Sequence, residues 1–541
     1  MTTQGTSREQ LSPFQLKDEL IRYAKDQTAS KSATHKFLNA GRGNPNWVAT
    51  TPREAFFLLG QFGLTESKRV WDEANIGGMP LPEGIADRFR TFLTSVNKGA
   101  ESGPGVELLR NGLEYATSTL GFEADAFVHE LVDSIIGDNY PEPDRILKHT
   151  ELVVHRYLEK TMCNDRPPAG RFDLFAVEGG TAAMCYVFGS LRENRLLRPG
   201  DTIALGTPIF TPYIELPGLE DFDLKTVEIA QSQMADGHHA WQYSDEEIDK
   251  LLDPRIKAFF IVNPSNPASY AMHPAMQKRL VDLVRSKRRD LIILTDDVYG
   301  TFIEGFRSLA ADLPRNTILV YSYSKHFGCT GWRLGVVGVH QDNILDEKLA
   351  ALPEADRVAL RKRYSSLTTT PDQMRFIDRL VADSRDVALN HTAGLSLPQQ
   401  AQMTLFSLFA LLDRDDAYAR RCREIVRERL DALSRGLGMP IPADPLRVAY
   451  YVDFDLAVWG RQAIGDDFAA YVAAHHAPLD LVIGMAKQHG SVLLNGSGFD
   501  GPPWSVRISL ANLDTAAYEA IGRDLKAIAE KAVDEWKTKR K

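Results

Sequence analysis

From about residue 170 the chain carries short apolar runs bounded by turn residues and separated by helical patterns. They include AFFIV (258–262), LIILT (291–295), ILVYSY (318–323) and LGVVGV (334–339). A strand that is apolar along its whole length has both faces covered. Such strands alternating with helices predict a parallel sheet with helices on both sides. An α/β fold is therefore expected. Before this region, residues 53–135 read as mostly helical, broken by GGMPLPEG and ESGPG, and 343–385 return to charged helical text. Ser12-Pro13 followed by Phe14, Leu16, Leu20, Ile21 and Ala24 reads as a capped amphipathic helix. Tyr518, Ile521, Leu525, Ile528 and Ala532 form one helical stripe near the C-terminus.

At 541 residues the chain is too long for one packed core, since domains run to roughly 100–200 residues. The net charge of −9 argues against an electrostatic nucleic-acid binder. Residues 1–135 hold 14 basic and 17 acidic side chains, so an N-terminal DNA-reading module is not expected. Cys163, Cys185, Cys329 and Cys422 lie far apart with no CxxC pair. This predicts neither a disulfide framework nor a metal site, and a reducing compartment. The opening MTTQGTSREQLSPF lacks a basic region followed by an apolar core, and no apolar run approaches ~18–20 residues. The expectation is a cytoplasmic protein with no membrane span.

The chemistry concentrates in Ser322-Tyr-Ser324-Lys325, followed by Gly-Trp332-Arg333-Leu-Gly. A lysine directly after a buried strand either snorkels to water or forms a Schiff base, which needs partial desolvation and cationic neighbours. Arg333 lies eight residues on and Ser322 three before. A guanidinium and hydroxyls so placed suit a phosphate dianion beside the lysine.

This pair of motifs resembles the signature of the fold-type I pyridoxal-phosphate enzymes, the aspartate aminotransferase superfamily. Four further segments follow in the family's order, each ordinary when taken alone. Glu178-Gly179-Gly180-Thr181 after FDLFAV is either a tight turn or a phosphate cradle at a helix start. The resemblance makes Gly180 and Thr181 the phosphate contacts. Pro208-Ile-Phe210 holds either a core aromatic or the ring that stacks on the pyridine face. In Asn263-Pro-Ser-Asn266-Pro, two Asn-Pro steps make a turn, and the family uses the second asparagine on the cofactor's phenolic oxygen. Asp296-Asp297-Val-Tyr299 ends a buried strand, where a carboxylate is costly unless paired. The resemblance pairs Asp296 with the pyridine nitrogen and gives Tyr299 a share of the phenolic oxygen.

Further along, Trp504-Ser-Val-Arg507 resembles the segment whose arginine holds the substrate α-carboxylate. Tyr140 in DNYPEP resembles the tyrosine that reaches a neighbouring subunit's phosphate. The implied fold has a large domain with a mostly parallel sheet, a smaller α+β domain and helical insertions. The expected division is 1–60 in the small domain, 61–135 as a helical insertion, 136–385 as the large domain with an insertion near 343–385, and 386–541 completing the small domain.

The chain is well over a hundred residues longer than ordinary members. With LNAGRGNPNW and NHTAGLSLPQQAQM, its layout resembles the bacterial aspartate 4-decarboxylases. That resemblance implies pyridoxal 5′-phosphate, β-decarboxylation of L-aspartate to L-alanine and carbon dioxide, and some aminotransferase activity on 2-oxo acids. Lys325 would take the α-proton. Arg42, or secondly Arg385, would meet the β-carboxylate. A homodimer or larger assembly is implied. Alternatives are an aminotransferase without decarboxylation, a ligand-sensing regulator, and a non-catalytic assembly protein.

Overall fold

The structure, a computed structural model, describes residues 13–30, 36–96, 103–233, 239–390 and 393–540. Ser12, the rest of the opening stretch, and His391 and Thr392 of the NHTAGLS segment lie outside the described residues.

Eight strands form the main sheet: β1 Phe172–Val177, β2 Thr202–Thr207, β3 Lys225–Gln233, β4 His239–Tyr243, β5 Ile256–Val262, β6 Ile292–Asp296, β7 Thr317–Ser322 and β8 Gly335–His340. Their order is β1-β8-β7-β6-β5-β2-β3-β4. β2 pairs in parallel with β3 and with β5. The expectation of parallel pairing fails for LGVVGV: β8 runs antiparallel to both β7 and β1. Only residues 323–334, with one short 3₁₀ turn at Thr330–Trp332, join β7 to β8. Without a crossover helix the chain returns directly, and a direct return is antiparallel. Both faces of β8 are buried, so its composition cannot reveal direction.

The chain divides into two compact units. One comprises 1–46, 199–293 and 421–541, the other 47–198 and 294–420. In the second unit, helices Thr50–Val70, Ile85–Ser95, Pro104–Ser118 and Ala124–Ile136 build their own core around Phe62, Phe89, Leu109, Leu113, Phe127 and Leu131. Phe62 and Phe89 pack with ring centres 4.8 Å apart. A second core in this unit gathers Tyr157, Tyr321, Tyr323, Phe327 and Phe406.

In the first unit, Leu16, Leu20 and Ala24 of the helix Pro13–Ser30 are buried. A three-stranded sheet places Ser505–Ser509 between Tyr451–Asp455 and Leu494–Asn495, antiparallel to both. Two long helices, Ala417–Leu437 and Thr515–Arg540, approach through glycines. A Cβ on Gly436 would lie 2.1 Å from the Glu519 carbonyl oxygen, and one on Gly522 would lie 2.5 Å from that of Leu433. Helix backbones this close leave no room for a methyl group.

In an open helix, glycine to alanine stabilises by up to ~1 kcal/mol. At Gly436 the sign reverses, because overpacking costs about 1–3 kcal/mol. Gly436→Ala is therefore expected to lower the melting temperature. A melting temperature at or above wild type in a thermal scan would contradict the close approach.

Candidate active site

The alternation of β7 sorts its side chains. Tyr321 and Tyr323 enter the aromatic core, where the Tyr321 hydroxyl lies 2.7 Å from that of Tyr157 and the Tyr323 hydroxyl 2.8 Å from that of Ser407. Ser322 and Ser324 take the other side, with their hydroxyls 3.0 Å apart. The Ser322 hydroxyl also donates to the Leu334 carbonyl at 3.2 Å. Lys325 follows and is half-buried.

The turn after the lysine is held from outside. Trp47 Nε1 donates to the His326 carbonyl at 3.1 Å, and Arg53 donates to the carbonyls of Phe327 (3.2 Å) and Gly328 (2.8 Å). Gly328 has φ +60°, and a Cβ there would fall 1.9 Å from the Trp47 carbonyl oxygen. Sequence reasoning missed Trp47 and Arg53, because their partners are backbone carbonyls about 275 residues away.

At the end of β1 the chain turns through Gly179, at φ +91°, into the helix Gly180–Glu193, whose start no side chain caps. Arg333 Nη2 donates to the Glu178 carbonyl at 2.9 Å, and its Nη1 donates to the Thr330 carbonyl at 2.8 Å. A Cβ on Gly179 would sit 2.6 Å from Arg333 Nη2. A Cβ on Gly180 would lie 3.8 Å from both Asp296 Oδ2 and Ser322 Cβ. Gly180, Asp296, Ser322, Ser324 and Arg333 thus converge. Thr181, in the first turn, is exposed. Asp296 is buried and accepts from the Val298 amide at 3.3 Å; Tyr299 is buried beyond it.

The neighbouring Asp297 is fully buried, and burial pushes its carboxyl up to about 7. The Ser308 and Thr295 hydroxyls oppose that rise and Asp296 adds to it. Gly335, which closes the GWRLG motif, was given no role from sequence. A Cβ on it would lie 2.6 Å from the Gly179 Cα, so this glycine lets the turn sit against β8.

In the first unit, Arg507 is buried on the strand Ser505–Ser509. Its Nη1 donates to Asn266 Oδ1 at 3.1 Å and its Nη2 to the Gly41 carbonyl at 2.9 Å. Its guanidinium lies 4.4 Å from the Tyr451 ring centre and 4.7 Å from that of Phe499. Asn266 is held by a folded turn in which the Ser265 amide donates to the Tyr270 carbonyl at 2.8 Å. Phe210 is half-buried, between Ile209, whose amide donates to the Phe499 carbonyl, and Thr211, whose hydroxyl donates to the Gly498 carbonyl. Arg42 is exposed, and among the described residues its guanidinium has no hydrogen-bond or ion-pair partner.

Two remaining candidates stand differently. Tyr140 is 85% exposed in the single chain. Arg385 is engaged: it pairs with Glu178, donates to the Tyr186 hydroxyl at 2.6 Å, and lies over the Tyr186 ring.

The residues fit pyridoxal 5′-phosphate. An uncapped helix start, two hydroxyls and a guanidinium make a donor set for a phosphate dianion. A buried carboxylate at a strand end suits a cationic ring nitrogen. Fold and donor set define a pyridoxal-phosphate enzyme, and the chain belongs to the aminotransferase class I and II family, which matches residues 183–523. It is 49% identical over 529 residues, 97% of each chain, to the bifunctional aspartate aminotransferase and L-aspartate beta-decarboxylase of Pseudomonas sp.. The same fold appears in the aspartate aminotransferase of Rhizobium meliloti (TM-score 0.58, 15% identity, 98% of this chain and 99% of that one). It appears again in the aromatic aminotransferase of Pyrococcus horikoshii OT3 (TM-score 0.56, 17% identity, 94% and 99%).

Gly335→Ala is expected to displace the Gly179 turn and to weaken retention of pyridoxal phosphate at least tenfold, with helix content unchanged. Titration of the cofactor's visible absorbance measures this; wild-type affinity would refute it.

Proposed function

We propose that the protein is a pyridoxal-phosphate-dependent L-aspartate β-decarboxylase that retains aspartate aminotransferase activity. The likeness to the bifunctional Pseudomonas enzyme carries this reading. It runs through 97% of the chain and so includes residues before 183 that the general family does not match.

When bound, pyridoxal phosphate supplies an aldehyde that condenses with amines and a ring that accepts an electron pair. The amides at the start of Gly180–Glu193, Thr181, Ser322, Ser324 and Arg333 would hold the phosphate. By the resemblance, Asp296 would hold a proton on the ring nitrogen, Asn266 and Tyr299 would each serve the phenolic oxygen, and Phe210 would serve the ring face. Lys325 Nζ takes the proton from aspartate Cα and returns it. General acid–base work of this kind is worth about 10²–10⁴ in rate.

Arg507 binds the α-carboxylate through its planar fork, which its bonds to Asn266 and Gly41 hold in place. The β-carboxylate must lose its charge as carbon dioxide leaves. A tight ion pair there would stabilise the starting state and oppose departure. Arg42, exposed and without a partner among the described residues, supports a looser contact. Arg385 is occupied by Glu178, which supports a structural role instead.

Tyr140 fits a role toward a second copy's phosphate, so we infer a homodimer at least. Among the described residues no helix is long and apolar enough to cross a membrane, and the four cysteines are free. The free thiols support a reducing, cytoplasmic compartment.

With L-aspartate as sole substrate, the holoenzyme is expected to release alanine and carbon dioxide in equal amounts. Adding 2-oxoglutarate is expected to yield oxaloacetate and glutamate as a minor path. Lys325→Ala should lower both rates by at least ~10²-fold. Absence of carbon dioxide in a trapping assay, with transamination intact, would replace this reading with that of a plain aminotransferase.

A further inference from the structure

Asp453 is opposite Arg507 in the antiparallel pairing of Tyr451–Asp455 with Ser505–Ser509. Directly opposed residues of such a pair project from the same face, with Cβ atoms about 4.5–5.5 Å apart. Both side chains carry unmet hydrogen-bonding capacity out of solvent. No hydrogen bond of ordinary geometry reaches either carboxylate oxygen of Asp453 or Arg507 Nε, although the Ser505 hydroxyl lies near the Asp453 carboxylate. The arrangement is a buried cation facing a buried potential anion, without a direct bond between them.

We propose that Asp453 is the internal counter-charge of Arg507, and that a substrate carboxylate docking on Arg507 drives a solvent proton onto the Asp453 carboxylate. This inference rests on Arg507 being the α-carboxylate binder. Asp453 is a positioning residue: it sets how much net positive charge Arg507 offers to an incoming anion.

The surroundings support the proton's movement. Burial pushes Asp453 up to about 7, with Asp455 adding to the rise and the Ser505 hydroxyl, His239 and Arg507 opposing it. The charged groups facing it are therefore Arg507 on the paired strand, Asp455 on its own strand and His239 on β4. The Asp455 carboxylate is engaged by His239 Nε2 at 2.8 Å and by the Ala457 amide at 2.8 Å. Asp453, Asp455 and His239 also line a cavity of about 320 Å³ that Asp444 and Arg447 border.

The sign follows from charge. Free Arg507 favours ionised Asp453. A bound carboxylate cancels that favour, raises the Asp453 pKa further, and so couples binding to proton uptake. Affinity for a carboxylate then falls as pH rises through about 7, by at most about tenfold per pH unit.

The test uses the pyridoxal-phosphate-loaded enzyme and succinate, which has two carboxylates and no amine. Calorimetry between pH 6 and 8.5, in two buffers of different ionisation heat, counts protons taken up. The cofactor's own titration is read from its visible absorbance and subtracted. Wild type is expected to take up a fraction of a proton near pH 7 and to lose affinity above it. Asp453→Asn, and Asp453→Ser as a second variant, are expected to lose this uptake and to keep at pH 8 the affinity that wild type has at pH 6. Equal uptake in wild type and both variants would overturn the proposal. Unchanged succinate affinity in Arg507→Gln would instead overturn the assignment of Arg507, and this inference with it.

Discussion

The candidate site residues within 47–198 and 294–420 depend on the strict two-residue alternation of β7. Tyr321 and Tyr323 are anchored through hydroxyl contacts to Tyr157 and Ser407 inside an aromatic core. Slipping the strand by one residue would put Ser322 and Ser324 into the aromatic core and turn the two tyrosines toward the Gly179 turn, so the register is firmly specified. That register sends the two serine hydroxyls toward the Gly179 turn and delivers Lys325 at the strand's end. The lysine's position is thus fixed by residues anchored in the aromatic core. Trp47 and Arg53 complete the constraint by holding carbonyls of the turn that follows.

Much of this was legible in the sequence because chemistry here is local. Apolar runs marked β5 to β8 to within two residues, and SYSK, GWRLG, NPSNP and DDVY each carry their functional groups within a few positions of a strand end. Strand direction was not legible for β8: burial of both faces erases the difference, and only the helix-free connection reveals it. Gly335 looked like part of a motif, yet its reason is a backbone contact with Gly179. Asp453 carried no local signal at all. The two aspartates of YYVDFDL give no sign of their partners, and only strand pairing sets Asp453 opposite Arg507, 54 positions away.

The three arginines named for substrate show why residue type alone could not rank them. A guanidinium becomes a carboxylate site when its fork is held rigid and its charge is not already spent. Arg507 meets the first condition through Asn266, Gly41 and two aromatic rings. Its Nε is left unbonded. Arg385 is equally well held, but Glu178 already neutralises it. Arg42 is the reverse case, with charge available and no rigidity. For a group that stays on the substrate, rigidity favours binding and orientation. For a group that must leave as neutral carbon dioxide, the same rigidity would deepen the starting state and raise the barrier. A rigid arginine for one carboxylate and a loose one for the other is therefore the division of labour that β-decarboxylation asks of a dicarboxylate site.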